Sequence, residues 1–177
     1  MKFLKWFFII LATLVAILVI AGFFLPKESH VERSTTINAS MDTVFQQVNS
    51  FQNFNQWSPW VEKDPNATYT YSGPDAGVGN KMAWASELRE VGSGSQEIVE
   101  SDYPRHVKTK LYFGDDPNPG YATFTLEELG PKQTKLTWSF DADFGSNIVG
   151  RYFGLMMDGM LGPEYEKGLA KLKSTLE

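Results

Sequence analysis

The chain has 177 residues, 42% apolar and 21% charged, with no cysteine, two histidines and a formal net charge of −5. That is a globular composition, too apolar for disorder. It excludes a disulfide framework, a thiolate metal site, a cysteine nucleophile and a site built on several histidines. An acidic chain also lacks the basic face that nucleic-acid backbones require.

The first element is a run from Trp6 to Pro26 without a charged side chain, with Thr13 its one polar residue. Twenty helical residues rise about 30 Å, the thickness of a bilayer's hydrocarbon core. Lys2 and Lys5 precede the run, whereas Lys27, Glu28, Glu32 and Arg33 after it cancel. The positive-inside bias predicts a single-pass anchor over residues 1–26, with a cytoplasmic N-terminus and an exported C-terminal domain. A cleaved signal peptide is the alternative, but its apolar region is shorter, about 7–15 residues, and ends in small residues. Here the run ends in Phe23-Phe24-Leu25-Pro26. Beyond it, 14 basic and 21 acidic residues leave a net charge of −7, which disfavours lying flat on anionic lipid. Residues 27–30 form a linker, and residues 31–177 form one domain of ordinary size.

That domain reads as strand, helix, six strands, helix. Val31 to Ile37 is β-type; Ser40 caps a helix carrying Val44, Phe45, Val48 and Phe51 at helical spacing. Pro59 pushes Ser58 out of the helical region. Strands are predicted at Ala67 to Tyr71, Lys81 to Ser86, Gln96 to Ser101 after a Gly92-Ser93-Gly94 turn, His106 to Phe113, Tyr121 to Leu129 and Lys135 to Phe144. The later strands alternate. Val107, Thr109, Leu111 and Phe113 share one face, as do Ala122, Phe124 and Leu126, and Leu136, Trp138, Phe140 and Ala142. Such alternation predicts an antiparallel sheet covered on one side. The cover is the last segment, with Ile148, Tyr152, Met156 and Met160 at four-residue spacing and Tyr165, Leu169, Leu172 and Leu176 beyond. Gly162-Pro163 is expected to kink or restart this helix.

An antiparallel sheet around a long C-terminal helix is an α+β, helix-grip arrangement. Over residues 31–177 the order resembles the SRPBCC superfamily, which includes START domains, the birch-pollen allergen type and polyketide cyclase/dehydrase-like proteins. The last group is resembled in Val31 to Ile37 running into Asn38-Ala39-Ser40, in Val44-Phe45, in Trp57-Ser58-Pro59-Trp60, in Gly77-Val78-Gly79 and in Gly168-Leu169-Ala170-Lys171-Leu172-Lys173. The resemblance implies an apolar cavity between sheet and last helix; it implies no single reaction, since members range from carriers to cyclases.

The inward set Trp84, Phe113, Phe124, Trp138, Phe140, Tyr152, Met156 and Met160 is either a filled core or the lining of that cavity, where methionine gives an adaptable wall. Trp57 and Trp60 sit either at the cavity mouth or at the pinned helix-to-strand crossover. His106 falls on a polar strand face, Asp141 and Asp143 on an outward one, and Asp115, Asp116 and Asn118 lack calcium-loop spacing. Gly77-Val78-Gly79 lacks the strand-to-helix context of a phosphate loop. Asn38-Ala39-Ser40 and Asn66-Ala67-Thr68 match the glycosylation sequon. No residue set stands out as catalytic or metal-binding, and no cofactor is expected. The expected partners are a hydrophobic small molecule or lipid and, through the first helix, the membrane; no protein partner is singled out. The reading is a membrane-anchored carrier or sensor. Its rivals are a cyclase/dehydrase-type enzyme and an interaction module with a filled core.

Overall fold

The computed structural model describes residues 2–177; Met1 of the 1–26 segment, and the Lys2 side chain used above for orientation, lie outside the described residues. The apolar run forms α1, Lys2–Phe24. The next strand, β1, spans Glu28–Ile37 and so begins three residues before Val31. Glu28, Ser29 and His30 pair with Asp143, Ala142 and Asp141, which takes most of the expected linker into the sheet.

Three short helices follow: α2, Met41–Val48; α3, Phe51–Trp57; and α4, Pro59–Lys63. Ser40 Oγ accepts from the Thr43 amide at 3.3 Å, satisfying a first-turn donor. Ser58 is extended (ψ 128°) ahead of Pro59, which opens α4. Asn80 holds α3 in place from within the core: at 1% exposure, its Oδ1 accepts from the Phe51 amide at 2.9 Å and its Nδ2 donates to Pro74 O at 2.7 Å.

Six more strands follow: β2, Thr68–Ser72; β3, Lys81–Ala85; β4, Ser93–Asp102; β5, His106–Phe113; β6, Gly120–Gly130; and β7, Gln133–Asp143. All seven form one antiparallel sheet in the order β1-β7-β6-β5-β4-β3-β2. The turn expected at Gly92-Ser93-Gly94 lies earlier. Ser93 and Gly94 already pair with Ala85 and Trp84, and the indole of Trp84 lies where a side chain on Gly94 would stand.

The C-terminal segment is two helices, α5, Ile148–Gly154, and α6, Met157–Leu176. The break therefore falls at Leu155-Met156 rather than at Gly162-Pro163, and Pro163 sits inside α6. A proline ring presses on the turn four residues earlier. That position is Gly159, and α6 runs through Pro163 without ending. Arg33 of β1 straps α6 to the sheet, with Nη1 2.8 Å from Asp158 and Nε 2.7 Å from Glu166. Its guanidinium lies over Gly162, where a Cβ would collide with it. The core joins one sheet face, α2 to α3 and the second half of α6, through residues such as Val44, Val48, Leu136, Leu169 and Leu172.

Candidate ligand cavity

Between the inner sheet face, α3, α4 and the start of the C-terminal helices lies a cavity of about 1040 Å³. Strands alternate, so side chains of one parity on β3 to β7 point into it. Trp84, Phe113, Phe124, Trp138 and Phe140 reach it from the sheet, and Met160 reaches it from α6. Trp60 lies in its wall, against the buried rings of Trp138 and Tyr165 at 5.7 and 6.2 Å.

Three residues of the expected set lie elsewhere. Trp57 is 1% exposed, packed edge-on to Phe54 and Trp138, with Nε1 donating to Gln47 O at 3.3 Å. It is the pin of the helix-to-strand crossover, not a mouth residue. Tyr152 donates its hydroxyl to Leu18 O of α1 at 2.7 Å, and Met156 is 56% exposed at the α5–α6 break. The uniform four-residue spacing read across Ile148 to Met160 assumes one helix. On α5 it is Val149 and Phe153, one residue out of phase with Ile148 and Tyr152, that face the cavity, and Met156 stands at the break itself. The sequence reading missed Asn55, Tyr69, Leu111 and Tyr165, which line the cavity. Tyr69 had a weak signal in the alternation Thr68-Tyr69-Thr70-Tyr71; Asn55 on its short helix had none.

The wall is mostly apolar, with neutral polar side chains such as Asn55, Ser58, Tyr69, Gln96 and Thr109 set into it. Asn55 Oδ1, Tyr69 OH and Trp138 Nε1 are buried and have no hydrogen-bond partner among the described residues. Orphaned buried groups are costly and therefore rare. Trp138 stacks on Tyr165 with centroids 3.8 Å apart and planes 7° from parallel. Burial, with the carboxylates of Asp141 and Asp64 respectively adding to it, pushes the hydroxyls of Tyr165 and Tyr69 up, so both stay neutral. The charged residues that touch the cavity, Arg89, Glu90, Asp116 and Asp143, are all exposed and sit at its rim.

Of the remaining sequence candidates, Asp116, Asn118 and Asp143 stand at the cavity rim, while His106, Asp141 and Asp115 lie outside it. His106 Nε2 is 3.4 Å from Glu100. Asp141 holds His30 at 2.6 Å; that hydrogen bond first, against a smaller burial cost, raises the His30 pKa. Asp116 Oδ1 accepts from the Asn118 amide at 2.9 Å, an ordinary turn contact.

A seven-stranded antiparallel sheet gripping a C-terminal helix defines the START-like, SRPBCC class of α+β protein. The profile of the family described as polyketide cyclase / dehydrase and lipid transport matches residues 28–177, and the chain belongs to that family. No curated protein matches it in sequence. Among solved structures it is similar to a START superfamily protein from Mycobacterium smegmatis, at 18% identity and TM-score 0.58, over 84% of this chain and 97% of that one. A protein from Nitrosospira multiformis gives 15% and 0.58, over 84% and 96%. The Aha1 dimer from Colwellia psychrerythraea gives 16% and 0.53, over 84% and 96%. Identities this low show the shared fold alone.

Proposed function

We propose that the protein is a membrane-anchored carrier or sensor that holds one uncharged amphipathic molecule in the cavity. The observation that carries this reading is the combination of about 1040 Å³ of space in a mostly apolar wall with three buried neutral polar atoms on wall residues that lack a hydrogen-bond partner. A ligand with an apolar body and a neutral hydrogen-bonding group, such as a hydroxyl, ester or amide, would satisfy both. A carboxylate or phosphate inside would be desolvated with no cation to pair with, at a cost of several kcal/mol. An acid–base enzyme of the cyclase type needs titratable groups within reach of substrate, and the carboxylates and the arginine that touch the cavity stand at its exposed rim. The α1 helix, long and apolar enough to span a bilayer, is read as the anchor that keeps the domain where such ligands partition.

The test compares binding of a long-chain alcohol or monoacylglycerol, the matching alkane and the matching fatty-acid anion. The alcohol or ester should bind saturably, the alkane more weakly and the anion least. Trp138→Phe keeps the stack on Tyr165 but removes the Nε1 donor. It should erase the preference for the alcohol over the alkane, a change of about 3–10-fold for one neutral hydrogen bond. Saturable binding of none of the three, or preference for the anion, contradicts the reading.

A further inference from the structure

Resting on that reading of α1 as an anchor, we propose that α5 and the turn after it lie in the interfacial layer of the bilayer. Arg151 latches them to α1, and the α5 side of the cavity mouth opens onto lipid rather than water. The partner is a zwitterionic lipid surface, because the net charge of −7 after residue 26 disfavours an anionic one.

The latch is a built joint. Arg151 is 5% exposed. Its Nη1 donates to Phe23 O at 3.1 Å and Gly22 O at 3.3 Å, while Nε donates to Gly145 O at 3.0 Å. The Gly22 and Phe23 carbonyls belong to the last turn of α1, where the helix dipole is negative and the Leu25 amide reaches Gly22 O only at 3.4 Å. Gly22 lets the helices touch, since a Cβ there would overlap Cγ2 of Ile148. Tyr152 completes the joint through Leu18 O.

The depth follows from the helix rise. Leu18 precedes Phe24 by six residues, about 9 Å along the axis. Helices lying in the interface sink by about 5–10 Å. A helix fastened to α1 at Leu18 and Gly22 is thus held at that level once α1 is inserted. Its surface suits the position. Residues 148–157 carry one charge, Arg151, and the joint buries it. What remains outward is apolar: Val149 is 79% exposed, Leu155 59% and Met156 56%. Val149 and Phe153 also line the cavity, so one segment faces both lipid and cavity. An amphiphile would pass from one apolar phase to the other along it.

The chain has no cysteine, so single-cysteine variants can carry an environment-sensitive fluorophore at chosen sites in the full-length protein. Labels at Val149→Cys and Leu155→Cys are compared with Lys132→Cys, in phosphatidylcholine vesicles. Lys132 sits at the far end of the sheet, a ten-residue strand or about 30 Å away. The proposal predicts blue-shifted emission at 149 and 155, several-fold lower quenching by iodide than at 132, and strong quenching by doxyl lipids. Arg151→Met, and separately Gly22→Leu, should raise iodide quenching at 155 toward the value at 132 while the protein still floats with the vesicles. Flotation with labels 149 and 155 as open to iodide as 132 overturns the proposal and leaves the anchor standing. A chain that does not float overturns both.

Discussion

Glu164 shows how a buried charge is held by neighbouring cations. It is 8% exposed on α6, with Oε1 3.1 Å from Lys63 of α4 and 3.2 Å from Lys167. Burial pushes its carboxyl pKa up, but the two ammonium groups outweigh burial and hold it below the ordinary value of 4.5. A depressed carboxyl pKa stabilises the fold above the ordinary value, and that stabilisation is lost as pH falls through the folded value. Glu164→Gln should therefore cost about 1 kcal/mol at pH 7, a modest figure because Lys167 is well exposed. The gap to the parent should close as the pH falls below the folded pKa. Denaturant midpoints at pH 7 and pH 3 check this; a gap that persists at pH 3 would show that Glu164 acts through packing. At this scale the sequence had little to say. The lysine partners of Glu164 and the orphaned atoms of Asn55 and Tyr69 are set by tertiary neighbours, and no local pattern encodes those.

Among elements, the strands were the most legible part. His106–Phe113 has the predicted bounds because its alternation is complete, and the sheet has the seven strands expected. The helical cover was less legible. Proline at 163 signals a break by local rules, yet α6 continues through it, and the break falls at Leu155-Met156, directly after Gly154. If Pro163 merely sits in a continuous helix, Pro163→Ala restores a backbone donor to Gly159 O. It should stabilise the protein by about 1–3 kcal/mol, read as a raised melting temperature of the full chain in detergent. A lowered melting temperature would mean that the proline sets a bend the fold depends on. The role of α5 could not be read from the sequence at all. Arg151 belongs to no local pattern, and the carbonyls it caps lie 128 and 129 residues away.

For the whole molecule, the inward pattern of apolar side chains is the same whether they fill a core or line a space. Alternation predicts which face is covered, not how closely. The structure makes this distinction within one layer. Trp57, Leu136 and Leu172 are packed shut, while Trp84 and Phe113, further along the same sheet, border open volume. The family accounts for residues 28–177; α1, long and apolar enough to cross a bilayer, stands outside that match and is joined to it through α5.

The central claim is that the cavity takes up a neutral amphiphile. Photolabelling of the full chain in phosphatidylcholine nanodiscs, with an alkyl-diazirine alcohol and peptide mapping, tests it most directly. Labelling of α1 reports probe that is merely dissolved in the bilayer and serves as the internal reference. The account predicts a second set of adducts on cavity residues such as Trp84, Phe140 and Tyr165. Excess unlabelled alcohol should suppress that set, and the volume-adding pair Leu111→Trp and Ala122→Phe should abolish it, with labelling of α1 unchanged in both cases. Adducts confined to α1, or cavity adducts that neither competitor nor added volume reduces, would contradict it.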